Sequence, residues 1–382
     1  MTHSLLKKSI ILTVSILILL SGCSGNGTAA GTEVIKTWKP GESDEQTESV
    51  FSIGSSDTDV EESTISEKKV GMVTDIGGID DESFNQSAWE GMKSLEKDTG
   101  VETTYVESSD SSEYSGNLDK LLERGCSLCW CIGYASADAL LEKAKEKPDT
   151  SFAIIDSSYA ETPSNVTGVV FRAEEPSFIV GYIAAAATKT GKIGFVGGIT
   201  GEIIDQFEYG FRAGVAYASS VYGKNVDIDI EYADSFNDVE KGREIGKRMY
   251  DEGCDIVYHA AGGVGIGVIE EAVKADKFVI GVDRDQSSLA PKNVLTSAMK
   301  LVNVAVERVS KAYLKDEDIG GKTLSFGLTE GAVGIPENHD NYRDEIYDAA
   351  LVIEDRIKSG EIDPPANLEE YKKFMEDYEK NE

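Results

Sequence analysis

Histidine, positive charge and long apolar runs are all scarce in this sequence. Its 382 residues include three histidines, and 37 lysines and arginines stand against 69 aspartates and glutamates, a formal net charge of −32. Because nucleic-acid binding needs clustered lysine and arginine to neutralise phosphates, this balance excludes a nucleic-acid-binding protein. The acidity is spread over predicted helix surfaces, where it favours solubility and does not indicate a cationic ligand.

Cysteine is present but lacks the partners that a metal site needs. The stretches GCSLCWCIG and EGCDIVYHA are apolar and typical of buried strands, and they contain Cys126, Cys129, Cys131 and Cys254. The histidines are His3, His259 and His339, and no C-x-x-C pair is accompanied by an H-x-x-x-H pair. We therefore predict small core residues and no metal site, with a disulfide between neighbouring strands as the alternative.

Catalytic signatures are absent as well. The sequence has no G-x-S-x-G elbow, no G-x-x-x-x-G-K-[ST] loop and no H-E-x-x-H pair. The stretch AAGGVGIG imitates a dinucleotide fingerprint, but counted from Gly263 or Gly265 the third glycine falls on Val268 or Glu270. More simply, Gly262 and Gly263 would let backbone N–H groups at a helix N-terminus approach a ligand. We predict a protein that is not an enzyme and has no cofactor.

The longest apolar stretch lies near the N-terminus. Lys7 and Lys8 precede the apolar-rich run Ile10–Leu20. About eleven residues is the length of a signal-peptide core and is too short for a membrane-spanning helix. The sequence therefore predicts an exported protein.

The run ends in Leu20-Ser21-Gly22-Cys23, which resembles the lipobox of bacterial lipoproteins. Residues 1–23 would then be a signal peptide and lipobox, and acyl chains on Cys23 would hold the protein on a membrane face. The alternative is a chance cysteine beside a signal peptide. Residues 24–67 are rich in Ser, Gly, Thr, Asp and Glu, which predicts a disordered tether, with a small irregular cap as the alternative.

Strand and helix patterns alternate along the remaining chain, as is typical of parallel sheets covered by helices on both faces. The pattern restarts after Glu174-Glu175-Pro176, which predicts two doubly wound lobes facing each other across a cleft. The predicted strands are 69–74, 102–106, 127–132, 151–155, 166–171, 192–196, 227–232, 255–258 and 278–282.

A polar cluster lies between the first strand and the first helix of this region. The stretch VGMVTDIGGIDDESFNQSAWEG, residues 70–91, holds three aspartates and two adjacent glycines between an apolar strand and a helical pattern that begins at Phe84. In an α/β sheet, ligands bind where strands end in this way. Alternatively, Asp80 and Asp81 would only cap the helix.

Several segments resemble, in order and spacing, the basic membrane protein family of lipoproteins, whose best understood members are purine-nucleoside receptors feeding ABC transporters. They are VTDIGGIDDESFNQSAWEGM, AIIDSSY, FEYGFRAGV, AAGGVGIGVIEEA, VIGVDRDQ and TSAMKLVNVAV. The resemblance implies the type I periplasmic-binding-protein fold, in which two α/β lobes are joined by a three-stranded hinge. We expect crossings near Phe171, near Thr296 to Met299, and near Leu324 to Gly327. The first lobe would comprise 68–172 with about 298–325, and the second 173–297 with about 326–382.

The resemblance also implies a ligand site. A nucleoside base would lie between two phenylalanines, a carboxylate would contact its edge, and an aspartate–lysine pair would hold the ribose hydroxyls. The matching residues are Phe84, Phe207, Asp75, Asp283 and Lys300. Beside them, Asn85 can donate and accept towards a base edge, Asp156 is a similarly placed strand-end aspartate, and Gly263 is the glycine at a helix start named above. As alternatives, Phe84 would be a core residue, Asn85 a cap, Asp156 a turn residue and Lys300 a solvated lysine.

The expected function is capture of a nucleoside of the inosine, guanosine or adenosine type by closure of the lobes, with delivery to ABC permease subunits. The protein would be a monomer, anchored by lipid on the extracytoplasmic face of the cell membrane. Two other classes stay open, namely a ligand-sensing partner of a membrane receptor and an exported nucleoside-processing enzyme.

Overall fold

A computed structural model of the protein describes residues 67–380, with the side chains of the last three of these left out of the description. The predicted signal peptide, Cys23 and all but the last residue of the predicted tether lie outside the described residues. Between residues 67 and 380, no helix combines the length and apolarity needed to cross a bilayer.

Twelve strands form two six-stranded sheets in the described part of the chain. The first sheet has the order β11-β5-β4-β3-β1-β2 and contains β1 (Lys69–Val73), β2 (Glu102–Val106), β3 (Leu128–Ile132), β4 (Ser151–Ile155), β5 (Val166–Phe171) and β11 (Lys322–Phe326). The second has the order β12-β10-β9-β8-β6-β7 and contains β6 (Lys192–Gly197), β7 (Asp227–Tyr232), β8 (Ile256–Ala260), β9 (Phe278–Asp283), β10 (Val294–Lys300) and β12 (Val333–Gly334). All pairs are parallel except β10 with β12.

Ten α-helices connect these strands within the described residues. They are α1 (Phe84–Thr99), α2 (Tyr114–Glu123), α3 (Ala137–Glu146), α4 (Glu174–Ala187), α5 (Glu202–Tyr222), α6 (Val239–Asp251), α7 (Val264–Ala275), α8 (Val302–Leu314), α9 (Asp344–Lys358) and α10 (Leu368–Lys380). Short 3-10 turns at Ser111–Glu113 and Tyr134–Ser136 precede α2 and α3.

The chain passes between the two sheets three times. After β5 it enters α4, which packs against α5 of the second lobe, and after β10 it enters α8, which packs against α1 of the first lobe. The indole Nε1 of Trp130 on β3 donates to Ser310 Oγ on α8 at 3.0 Å, which ties α8 into the first lobe. The third passage runs from β11 in the first sheet to β12 in the second. The first lobe is therefore completed by β11 and α8, which come from the C-terminal part of the chain, and the second sheet is completed by β12.

The nine predicted strands are all confirmed, each with ends within two residues of the prediction. Three further strands, β10, β11 and β12, were not among the nine predicted strands. The crossings expected near Thr296 to Met299 and near Leu324 to Gly327 coincide with β10 and with the end of β11, and β12 has two residues.

The predicted role of the cysteines as small core residues is confirmed. Cys126, Cys129, Cys131 and Cys254 are buried free thiols, so the disulfide alternative is wrong for these four. The first three belong to the apolar cluster that lies between the first sheet and the α2–α3 side.

Several pairs of helices approach so closely that only glycine fits at the contact, and two of these contacts hold equivalent places in the two lobes. A Cβ on Gly214 of α5 would overlap the carbonyl oxygen of Phe178 on α4, and a Cβ on Gly91 of α1 would meet the backbone of Asn303 on α8. These glycines hold equivalent places, since each lies seven residues after a phenylalanine, Phe207 and Phe84 respectively. The same close crossing is thus made once in each lobe.

We expect Gly214→Ala to destabilise the protein by ~1–3 kcal/mol, because the added methyl group must push two packed helix backbones apart. The matched control is Gly116→Ala in α2, where a Cβ would meet nothing within 4 Å. Alanine there is expected to be neutral or stabilising by up to ~1 kcal/mol. Chemical denaturation of both variants provides the measurement, and equal effects would contradict the close-packing explanation.

Candidate functional site

A cavity of about 450 Å³ lies between the two lobes, at the carboxyl ends of their parallel strands. Ends of parallel strands meet at one edge of a sheet, so each lobe offers a set of strand-end side chains to the cleft. The cavity is lined by every residue predicted for ligand binding, namely Asp75, Phe84, Asn85, Asp156, Phe207, Gly263, Asp283 and Lys300.

Asp81 organises the turn that leads into α1. Its carboxylate accepts hydrogen bonds from the backbone N–H groups of Ser83 at 2.9 Å, Asn85 at 2.8 Å and Gln86 at 3.0 Å. These are the N–H groups that lack an intrahelical partner at a helix start, so Asp81 acts as the cap. These hydrogen bonds agree with the alternative interpretation of Asp81 as a helix cap.

Asn85 joins two of the carboxylates in this turn. Its Nδ2 donates to Asp75 Oδ1 at 2.6 Å and to Asp81 Oδ2 at 2.9 Å, and its Oδ1 accepts from the N–H of Asp75 at 3.1 Å. Both of its amide hydrogens are therefore used inside the protein. Asn85 lines the cavity, but its donors hold Asp75 in place and are not available to the edge of a base.

The two oxygens of Asp75 have different surroundings. Oδ1 accepts from Asn85 and from the N–H of Gly77 at 2.8 Å, whereas Oδ2 lies 3.6 Å from the place that a Cβ on Gly133 would occupy. Burial raises the pKa of Asp75 to about 6, against the opposing effect of its hydrogen bonds to Gly77 and Asn85. A carboxyl group in this state can accept a hydrogen bond near neutral pH and donate one in mildly acidic solution.

Two aspartates hold equivalent positions in the two lobes. Asp156 follows β4 and Asp283 ends β9, and both have the left-handed backbone conformation, with φ of 60° and 64°. Aspartate adopts this conformation more readily than most residues. The two carboxylates thus come to the cavity from opposite sides.

Lys300 lies between these aspartates but is bonded to one of them. Its Nζ is 2.5 Å from Asp156 Oδ2, and both side chains are buried. The resemblance paired Lys300 with Asp283, which instead accepts a hydrogen bond from Ser83 Oγ of the other lobe. Burial raises the pKa of Asp283 to about 6, although Lys300 and Ser83 oppose the shift. Among the described residues that line the cavity, Lys300 is the one cation beside six aspartates.

Aromatic rings surround the ammonium group of Lys300. Its Nζ lies 4.6 Å from the ring centroid of Phe84, 5.4 Å from that of Phe171 and 5.7 Å from that of Phe207. Phe84 is half-buried, so part of its ring is open to the cavity, whereas Phe207 is 2% exposed and also belongs to the core of the second lobe. The rings stabilise the cation and form apolar walls beside it.

Gly263 lines the cavity, but its N–H does not point to a ligand. This group donates to the carbonyl oxygen of Phe236 at 2.8 Å, which closes the turn before α7. The residue whose backbone conformation favours glycine is Gly262, because its φ of 54° lies in the left-handed region. The turn itself therefore uses the N–H of Gly263, and the expectation that glycines 262 and 263 let N–H groups of the helix start approach a ligand stays a prediction.

Sequence reasoning missed further cavity residues on the loops that follow the other strands. Tyr114 and Asp110 come after β2, Tyr134 after β3, Ile199 after β6 and Phe236 after β7. All lie in the segments between the carboxyl end of a strand and the start of the next helix, and the rule that ligands bind there, applied to every strand, points to these segments.

Comparisons with known proteins agree with this geometry. A family model described as ABC transporter substrate-binding protein PnrA-like matches residues 68–368. Basic membrane protein A of Borreliella burgdorferi is 42% identical over 315 residues, which cover 81% of this chain and 91% of that protein. The CD4+ T-cell-stimulating antigen of Listeria monocytogenes is 38% identical over 317 residues, which cover 78% of this chain and 87% of that one.

Solved structures share the fold. A solute-binding protein of an ABC transporter system from Aeropyrum pernix superposes with a TM-score of 0.71 at 24% identity, covering 82% of this chain and 98% of that one. A solute-binding protein from Conexibacter woesei gives a TM-score of 0.65 at 20% identity, covering 78% and 99%. The predicted α/β class, with two doubly wound lobes of the type I periplasmic-binding-protein fold, is confirmed.

The raised pKa of Asp283 gives a pH dependence with a definite sign. The folded protein binds this proton more tightly than the unfolded chain, so the stabilisation is fully present below the ordinary aspartate pKa and is lost as the pH rises through about 6. Asp283→Asn cannot lose a proton and keeps a residue that tolerates the left-handed backbone. We expect its melting temperature to improve relative to wild type as the pH rises from 4 to 7. A constant difference over that range would contradict the shift.

Proposed function

The chain belongs to the family of PnrA-like ABC transporter substrate-binding proteins, and from that premise we propose that its solute is a purine nucleoside, captured between the lobes and delivered to an ABC importer. Binding of a solute is the role of the family. The proposal adds the chemical class of the solute, which we take to be of the inosine, guanosine or adenosine type. The observation that carries it is a single cavity with phenyl walls and carboxylates from both lobes.

The walls suit the base of a nucleoside. Phe84 of the first lobe and Phe207 of the second both line the cavity, and aromatic faces stabilise a stacked base by ~1–3 kcal/mol each. Asp75 lines the same cavity as Phe84, and its carboxyl group can bond to the donor and acceptor atoms at the edge of a base.

The second set of groups suits the ribose. Asp156, Asp283 and Lys300 together offer acceptors and donors for vicinal hydroxyls. Hydrogen bonds to ionised groups are roughly twice as strong as neutral ones, which compensates for removing the hydroxyls from water. Because six aspartates line the cavity with one lysine, a phosphate group would be repelled.

The mechanism is binding without chemistry. A ligand that contacts both lobes stabilises the closed form by its difference in affinity for the two forms, and the closed form is what permease subunits can recognise. We further propose that acyl chains on Cys23 hold the protein, as a monomer, on the extracytoplasmic face of the membrane. The support for this anchor is the lipobox-like sequence ending at Cys23.

Two measurements test the ligand class. Mass spectrometry of small molecules released on denaturing the purified protein should detect a purine nucleoside, and a sugar or amino acid in its place would contradict the proposal. In calorimetric titrations, we expect inosine to bind and inosine monophosphate not to bind. Equal affinities would show that the carboxylates do not face the ligand.

Substitutions of Phe84 show whether this residue forms a wall of the binding site or belongs to the hydrophobic core. We expect Phe84→Ala to lower nucleoside affinity by ~1–3 kcal/mol, because one stacking face is lost. The free energy of unfolding of the ligand-free protein should change by less than ~1 kcal/mol, far below the ~3–5 kcal/mol typical of a deleted core phenylalanine. Phe84→Tyr keeps the ring and should retain most of the affinity. A large fall in melting temperature with unchanged affinity would identify Phe84 as a core residue.

A further inference from the structure

A loop of the second lobe contacts the helix start that carries Phe84 in the first lobe. Arg284 follows β9 directly, and its NH1 lies 3.2 Å from Glu82 Oε2 while its NH2 lies 3.2 Å from Glu90 Oε1. Glu82 precedes α1 and Glu90 lies on its second turn. A single guanidinium group therefore bridges two carboxylates of the opposite lobe, a geometry that suits the planar fork of arginine.

Gln286 makes a second contact across the same boundary. Its Nε2 donates to the carbonyl oxygen of Glu82 at 2.9 Å. Its Oε1 accepts from the N–H of Val282 at 3.0 Å, and its own N–H donates to Ser297 Oγ at 3.2 Å. Because Gln286 is 1% exposed and fixed within its own lobe, it presents a rigid donor to the first lobe.

Glu82 is the residue on which these contacts converge. It has a left-handed backbone with φ of 52°, which is costly for glutamate and is found where surrounding structure holds it in place. Its carboxylate is held by Arg284 and its carbonyl by Gln286, and both partners belong to the other lobe. The next residue, Ser83, donates to Asp283 of the second lobe, and Phe84 follows.

We propose that Arg284, assisted by Gln286, is a positioning residue that clamps the Glu82 turn to the second lobe and so stabilises the closed arrangement of the lobes around the ligand. Release of a ligand requires the lobes to part, so the clamp slows dissociation more than it affects association. The ligand-based readout of this inference rests on the proposed nucleoside binding. The clamp itself is also measurable without any ligand.

The chain offers a matched control for Arg284. Arg243 also bridges two carboxylates, those of Glu240 and Glu270, but all three residues belong to the second lobe. The two arginine side chains are similarly exposed, 26% for Arg284 and 29% for Arg243. Arg243→Ala removes the same kind of ion pairs without touching the boundary between the lobes.

The first experiment measures inosine binding kinetics by stopped flow. With Arg284→Ala we expect dissociation to be about three- to ten-fold faster and association to change less than about two-fold, as loss of partly exposed ion pairs allows. The difference from wild type should shrink at high salt, because salt screens these pairs. Arg284→Lys should restore part of the slow dissociation, and Arg243→Ala should leave it unchanged.

The second experiment is hydrogen–deuterium exchange of the ligand-free protein. Arg284→Ala should speed exchange of the backbone amides of Asn85 and Gln86, which depend on the turn at Glu82, while Arg243→Ala should not. The clamp is overturned if Arg284→Ala changes neither dissociation nor exchange, if its effect is independent of salt, or if the control matches it. Wild-type protein that fails to bind inosine would contradict the proposed function, and the exchange data would still decide the clamp.

Discussion

The buried ion pair between Lys300 and Asp156 is the interaction on which the arrangement of the cleft depends. Its partners come from β10, which belongs to the second sheet, and from the end of β4 in the first. Two charges removed from water lose several kcal/mol of hydration each, so the pair is tolerable only with close geometry, and removing one partner typically costs ~3–5 kcal/mol. Separating the ends of β4 and β10 would leave both charges unpaired, so the pair holds these two strand ends together. The rings of Phe84, Phe171 and Phe207 around the ammonium group further stabilise the lysine in this position.

The near-symmetry of the two lobes explains why Lys300 is paired with Asp156 and not with the equivalent Asp283. The strands of the two sheets follow the same order, and Asp156 and Asp283 hold equivalent left-handed positions. By the register of β4 with β5 and of β9 with β10, the place that Lys300 occupies in one half is occupied by Phe171 in the other. Two aspartates thus face one lysine. Within residues 67–380 Asp283 makes no direct ion pair and accepts a hydrogen bond from the hydroxyl of Ser83, so burial dominates its pKa.

Most of the fold could be predicted from the sequence because its signals are local. The central strands of the two sheets, such as β3 (Leu128–Ile132) and β8 (Ile256–Ala260), show apolar runs, and the cavity aspartates Asp156 and Asp283 lie at the ends of such strands. Asn85, Gly263 and Lys300 show what local reasoning misses. Their positions were predicted, but their bonding partners were not. Gly263 bonds to Phe236 and Lys300 to Asp156, which are distant in the sequence, whereas Asn85 bonds to Asp75 and Asp81 within its own turn. A donor that is needed inside the protein cannot be told from one that is free until the long-range contacts are known.

The position of Lys300 at a crossing also bears on how the lobes can move. It is the last residue of β10, and the N–H of the next residue, Leu301, donates to the carbonyl oxygen of Ala332 in the third crossing at 2.8 Å. Arg172, just after β5, binds Glu175 at 2.7 Å and Glu330 at 2.5 Å, so the first and third crossings are tied as well. Residues near a rotation axis move least in a hinge motion. We therefore expect a buried charge placed beside the crossings to keep its partner when the walls of the cleft separate, so that opening leaves the Lys300–Asp156 pair intact.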